Sequence, residues 1–97
     1  MATKLIRGGK TYRIHSTGTV FVRNAAGVQM PVISHQLLDS SNVMAWVGVD
    51  VLAQLDAGHK PTVLRQLASS PHDPFKVDAT VSVTVNGALG FMPASWL

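Results

Sequence analysis

From Val77 to Asn86 apolar and polar residues alternate without exception. Val77, Ala79, Val81, Val83 and Val85 fall on one side, and Asp78, Thr80, Ser82, Thr84 and Asn86 on the other. Strand side chains point alternately to opposite faces, so this period of two demands a half-buried β-strand. Asn86-Gly87 after it is the residue pair that tight hairpin turns favour, and Ala88 to Phe91 supply a returning strand. A chain with this hairpin has to build a sheet around it.

Two registers compete at the turn. A two-residue Asn86-Gly87 loop places Val83 opposite Gly90 and leaves Leu89 and Phe91 on the Thr/Ser face. A three-residue loop, Val85-Asn86-Gly87 with Gly87 left-handed, pairs Val83 with Leu89 and Val81 with Phe91. A slip of one residue turns every side chain over, so burial of a single apolar face selects the three-residue loop with a bulge at Gly87. The opposite face, Thr80, Ser82 and Thr84 beside Ala88 and Gly90, is then flat and uncharged. Thr80, Ser82, Thr84 and Ala88, with Trp96 near the C-terminus, form the expected protein-contact surface.

The residues before the hairpin suggest more sheet. Lys4–Arg7 reads as a short first strand ended by Gly8-Gly9, and Lys10 to His15 alternates again with Tyr12 and Ile14 on one face. Ser16-Thr17-Gly18 reads as a turn, Thr19 to Arg23 as a β-branched and aromatic strand, Asn24 to Gly27 as the next turn. Val28 to Ile33 returns as a third strand, with Pro31 marking an edge or an irregularity. These segments make an antiparallel meander.

After Ser34 the pattern changes. Ser40, Ser41 and Asn42 suit a helix N-cap, Val43, Val47, Val51 and Leu55 recur at i+4, and Gly58 stands where a helix C′ residue belongs. A helix of about 43–57 is expected; the rival is a strand to Val51 followed by a short helix, because Val47-Gly48-Val49-Asp50-Val51 also alternates. Pro61 at a first helical position, with Val63, Leu64 and Leu67 on one side, predicts a second helix over 61–69. Ser69 to Pro74 is a loop. Trp96-Leu97 is an apolar end expected to dock on the body.

Charge narrows the function classes. Charged residues are 13% of the 97-residue chain, there is no glutamate, and apolar residues reach 46%; ordinary soluble domains carry about 25% charge. Part of such a surface is expected to be covered by a partner. Residues 1–38 carry Lys4, Arg7, Lys10, Arg13 and Arg23 and no acid, a charge of +5, while the remainder sums to −2. This asymmetry predicts a basic face that meets nucleic acid, an acidic protein, or the acidic half of another copy.

Recognisable chemistry is sparse. The absence of cysteine excludes disulfides, thiolate metal sites and thiol nucleophiles. Gly9-Lys10-Thr11 resembles the end of a phosphate-binding loop, but Lys4 occupies the place of its first glycine and Tyr12-Arg13-Ile14 reads as strand. His15, His35, His59 and His72 lack metal-ligand spacing, and the five aspartates include no pair suited to acid–base catalysis. Two helices across Gly58 to Pro61 would resemble a generic helix-turn-helix presenting Thr62, Arg65 and Gln66, with Asp50 and Asp56 repelling phosphate. A basic β-face with interleaved Tyr12 and Phe21 suits single strands better, although Tyr12 lies opposite Arg13 and reads as core.

The expected architecture is a single α+β domain spanning 1–97. It comprises a small antiparallel β-sheet or sandwich, made of an N-terminal meander and a C-terminal hairpin, with a central one- or two-helix segment. The expected function is non-enzymatic, with no metal or cofactor: a small structural subunit that assembles with copies of itself or docks on a larger assembly. Charge-poor, Val/Thr/Gly/Ser-rich β-proteins suit particles such as phage capsids and tails. A basic nucleic-acid-binding module and a small inhibitor docking on another protein are the alternatives. With no signal-peptide pattern and no run near the ~18 apolar residues of a membrane span, the expected place is the cytoplasm or a particle assembled there, without a membrane partner.

Overall fold

The computed structural model describes residues 4–7, 9–66, 76–77 and 80–97. In chain order they form β1 (Lys4–Arg7), β2 (Lys10–Arg23), β3 (Gln29–Asp39), β4 (Val43–Gly48), α1 (Val49–Asp56), β5 (Pro61–Gln66), β6 (Lys76–Val77), β7 (Thr80–Val85), β8 (Ala88–Pro93) and a closing 3-10 turn, Ala94–Trp96. One sheet has the order β1-β2-β3-β4-β6 and a second the order β5-β7-β8. All pairs are antiparallel except β4 with β6. This is the small α+β arrangement expected, with a helix, a meander and a C-terminal hairpin.

The meander is longer and simpler than the pattern suggested. Ser16-Thr17-Gly18 is not a turn: β2 runs unbroken from Lys10 to Arg23, and its register slips between Ile14 and Ser16. A bulge absorbs one extra residue, so the strand bends and continues. Cross-strand bonds hold the stretch, from Ser16 Oγ to Gln36 Oε1 and between Thr17 Oγ1 and His35 Nδ1, each 2.8 Å. The turn at Asn24 to Gly27 is as expected. Asn24 Oδ1 accepts from the N–H groups of Ala26 and Val28, and Gly27 has a positive φ of 81°.

The central segment follows the rival reading. Residues 43–48 are strand β4, and the helix begins at Val49. A stride of four fits one helical turn, but it is also two strand repeats, so Val43, Val47, Val51 and Leu55 carried no vote between the two. Residues 40–42 cap no helix; they form the β3–β4 turn, where Asp39 Oδ1 accepts from the N–H groups of Ser41 (2.8 Å) and Val43 (2.9 Å). The C-terminal end of α1 does match. Gly58, at φ 94°, donates to the Leu55 carbonyl, and His59 N–H donates to the Gln54 carbonyl, a Schellman motif.

The second helix over 61–69 is replaced by strand β5 across 61–66, paired with β7 from Pro61↔Val85 to Gln66↔Val81. Proline opens a strand as readily as a helix. The register slips between Val63 and Arg65, which leaves the adjacent Val63 and Leu64 both exposed, at 45% and 39%. Residues 67–69 and the loop at 69–74, including His72, lie outside the described residues.

The hairpin departs from expectation twice. Val77 pairs with Met44 in the larger sheet while Thr80–Val85 pairs in the smaller one, so the alternating run serves two sheets. Periodicity reports the local conformation, not the partner; Asp78 and Ala79 lie outside the described residues. The turn has the two-residue loop, with Val85 opposite Ala88 and Val83 opposite Gly90. Asn86 and Gly87 have φ of 48° and 85°, the positive pair that a type I′ turn requires. Burial failed to select the other register because both faces are buried: Val83 and Met92 on one, Ser82 and Phe91 on the other.

The core gathers Tyr12, Leu37, Ala45 and Val47 from the larger sheet, Val51 and Leu55 from α1, and Val81, Val83, Val85 and Met92 from the smaller sheet. Two glycines let these layers close. A Cβ on Gly90 would lie 2.9 Å from Val51 Cγ2, and one on Gly48 would lie 3.3 Å from Val32 Cγ1 and 3.5 Å from Gly90 Cα. At this point β4 and β8 touch backbone to backbone beneath the helix.

Candidate functional site

The structure divides the expected contact surface. Thr80 and Ser82 are each 1% exposed and belong to the interior, where Ser82 Oγ donates to the Arg65 carbonyl at 3.0 Å. Thr84 and Ala88 are half-buried, and with the two-residue turn they sit on opposite faces of the hairpin. Thr80 and Ser82, buried inside their own chain, are out of a partner's reach. Trp96 docks on its own body as expected: its ring meets Tyr12 edge-on at 5.9 Å, and Arg7 lies 5.5 Å from its centroid.

The basic residues do not share one face either. Lys4 pairs with Arg13 across β1 and β2, while Arg7 pairs with Lys10. Lys4 and Arg7 are three positions apart on one strand, so the two pairs project from opposite faces. Arg7 forms an ion pair with Asp56, and Lys10 Nζ lies 3.9 Å from Asp39 Oδ2. Arg23 is at the far end of β2 and donates to the Gly27 carbonyl at 3.2 Å. Tyr12 is fully buried, in keeping with its reading as core. Thr62, Arg65 and Gln66 lie on strand β5, so the helix that would have carried them into a groove is absent.

The surface that does stand out lies on the outer half of the β2–β3 hairpin, beyond the point where β4 ends. Strand β4 pairs with β3 from Leu38↔Met44 to Ser34↔Gly48, and past Ser34 strand β3 has β2 on one side and, among the described residues, an unpaired edge on the other. Register sets the two faces of this arm. Val20, Val22 and Val32 share one face; Val22 is 3% exposed, and Val32 reaches the Gly48–Gly90 contact. Thr19, Phe21, Arg23, Gln29, Pro31 and Ile33 share the other, and all are exposed. Phe21 is 60% and Ile33 61% exposed, with Val28 (55%) and Met30 (40%) adding apolar surface at the turn and the edge.

Two clefts border this face. One, of about 360 Å³, runs along the free edge of β3 between Met30, Pro31, Ile33, Leu89 and the start of α1 at Val49 and Asp50. The other, of about 150 Å³, lies at the arm tip among Phe21, Arg23, Gln29, Arg65 and Phe91. Neither Asp50 nor Arg65 has an ion-pair partner among the described residues. Among the described residues no three His or Asp side chains converge as metal ligands do, and no helix is long and apolar enough to cross a membrane.

Sequence reasoning missed this site, although Phe21, Pro31 and Ile33 were all assigned to strands. A signal was present in the paired runs TVFVR and VQMPVI, which are apolar on both parities. Two apolar faces need two covers, and among the described residues the arm has one. Compared with protein-family models, curated proteins and solved structures, the chain matches none.

Proposed function

We propose that the protein is a non-enzymatic structural subunit that works by binding protein through the outer face of the β2–β3 arm. The supporting observation is the exposed pair Phe21 and Ile33 on the two-stranded β2–β3 hairpin, in a chain with 13% charged residues. Contiguous exposed apolar surface is expensive in water and marks sites that a partner covers. Pro31 sharpens the mode of contact. It stands on the free edge of β3 and lacks an N–H, so it discourages strand addition there and favours packing by side chains. Assembly in a particle, such as a phage capsid or tail, is the setting that suits this composition.

The test compares the sedimentation of the wild-type chain with a Phe21→Asp/Ile33→Asp variant, in the extract of its source cells and as purified protein. Both substitutions are on the surface, so the variant is expected to keep its circular dichroism spectrum. The wild type should travel as an oligomer or in a larger complex, and the variant as a single chain. A wild type that is a single chain in both settings defeats the proposal.

A further inference from the structure

We infer that the protein covering the arm presents a carboxylate to its tip, held between the guanidinium groups of Arg23 and Arg65, with apolar side chains alongside for Phe21 and Ile33. The inference rests on the reading of the arm as a protein-contact surface and adds the chemistry of the partner. Its basis is the meeting of two cations that the sequence keeps far apart. Arg23 ends β2 and Arg65 lies on β5 at the edge of the other sheet. Both line the cleft of about 150 Å³ with Phe21 and Gln29, and both line a second cleft, of about 270 Å³, with Asn24 and Leu64.

Both arginines are exposed, and neither has an ion-pair partner among the described residues. Arg23 is steadied by the bond it donates to the Gly27 carbonyl, a neutral group that leaves the charge unanswered. Among the described residues no acid lines either cleft. Two neighbouring guanidinium groups repel each other, and one oxyanion between them replaces that repulsion with charge-assisted hydrogen bonds. The guanidinium fork matches the two oxygens of a carboxylate.

The neighbouring groups say what carries the carboxylate. Phe21 is two residues from Arg23 on the same face, and Pro31 and Ile33 continue the apolar surface. From Arg23 to Thr19, opposite Ile33, the face covers about 13 Å at ~3.3 Å per strand residue. An acid followed by apolar side chains over that length is a protein surface. A nucleic acid needs a longer cationic track, and Lys4 and Arg13 are at the other end of β2 while Arg7 and Lys10 face acids. The same face of a second copy brings arginine against arginine, since no acid stands among its residues on β2 and β3. The partner therefore meets the arm with a surface unlike the arm itself.

Two capped dipeptides, acetyl-Leu-Glu-amide and acetyl-Leu-Gln-amide, differ by one charge and test the carboxylate. Nuclear magnetic resonance of the purified full-length chain reads the Nε–H signals of Arg23 and Arg65. The glutamate peptide should shift both signals and bind at least ~10-fold more tightly than the glutamine peptide. It should bind the Arg23→Gln/Arg65→Gln variant as weakly as the glutamine peptide binds wild type. Equal binding of the two peptides to wild type overturns the carboxylate. Arginine signals that move in Asp73→Asn or Asp78→Asn before any peptide is added show that the chain's own acid fills the site, and overturn the outside partner. In the source extract, Arg23→Glu/Arg65→Glu should sediment as a single chain with an unchanged circular dichroism spectrum, and a complex that nuclease dissolves overturns the protein partner. An arginine variant that stays in the complex while Phe21→Asp/Ile33→Asp leaves it overturns the carboxylate and leaves the arm reading standing; if neither variant leaves, both readings fall.

Discussion

Leu37 and Ile33 are four residues apart on β3 and point to the same face of the same sheet, yet Leu37 is fully buried and Ile33 is 61% exposed. The backbone treats them alike; their surroundings differ. Leu37 sits between Ile14 on β2 and Ala45 on β4, inside the cluster that α1 and the smaller sheet complete. Ile33 faces Thr19 on one side and the free edge on the other. The cause is a change of covered face: at the arm the body packs against the other side of the sheet, where Val22 is 3% exposed and Val32 reaches the Gly48–Gly90 contact, so Ile33 is left outside. Apolar patterning thus continues on a side that the described residues leave open.

The strongest way to sharpen the comparison is to truncate the covered residue. Leu37→Ala removes a fully enclosed side chain, and the expected loss is about 2–5 kcal/mol, because the cavity cannot collapse between two sheets and a helix. For a domain of this size that lowers Tm by more than about 10 °C. Thermal melting followed by circular dichroism reads it; a change of a degree or two would mean that the body end is as loosely covered as the arm.

Gly90→Ala attacks the closure itself. Its new methyl would stand 2.9 Å from Val51 Cγ2 and 3.4 Å from Val32 Cγ1, so α1 or the arm has to move. Overpacking of this kind costs about 1–3 kcal/mol. Because Val32 belongs to the arm and Val51 to the helix, hydrogen exchange should accelerate in both. Acceleration confined to β8 would break the claim that this glycine pair joins the two ends.

How much of this was legible in the residues follows from the same physics. Local conformation was readable wherever a period of two stood alone, as in Lys10 to Ile14 and Thr80 to Val85, and where backbone chemistry was specific, as at Asn24–Gly27 and Gly58. Ambiguity entered at strides of four, which serve strand and helix equally, and at Pro61, which opens either. The register at Asn86-Gly87 and the Thr80/Ser82 surface were misread for one reason: a Thr/Ser face was assumed to be wet. In the fold that face is covered, and Ser82 is satisfied by the Arg65 carbonyl. The exposed face belongs instead to Phe21 and Ile33. Burial is a property of what lies opposite, and no single segment carries it.

A smaller effect tests the rim of the body end. Arg7 pairs with Asp56 on α1 and lies over the Trp96 ring, tying β1 to the helix and to the closing turn. The ion pair is partly solvated, with side-chain exposures of 34% and 59%, which limits its worth. Arg7→Ala should lower stability by about 1 kcal/mol, shared between the pair and the cation–π contact. Only the ion-pair share should shrink appreciably in molar salt. A loss several times larger would mean that β1 is anchored mainly through this one side chain.

The smallest expected effect is the most telling. Ile33→Ala removes as much apolar volume as many core truncations, but from a side chain that water already reaches. Measured at concentrations where the protein is a single chain, the change should stay within about 0.5 kcal/mol, as for surface substitutions generally. If copies associate through the arm, raising the concentration should stabilise the wild type by mass action and the variant less, so the two melting curves should separate as protein is added. The separation is the signature that matters. Two curves that coincide at every concentration would mean that copies do not meet at Ile33, while curves well apart even at high dilution would show that the arm is covered from within the chain.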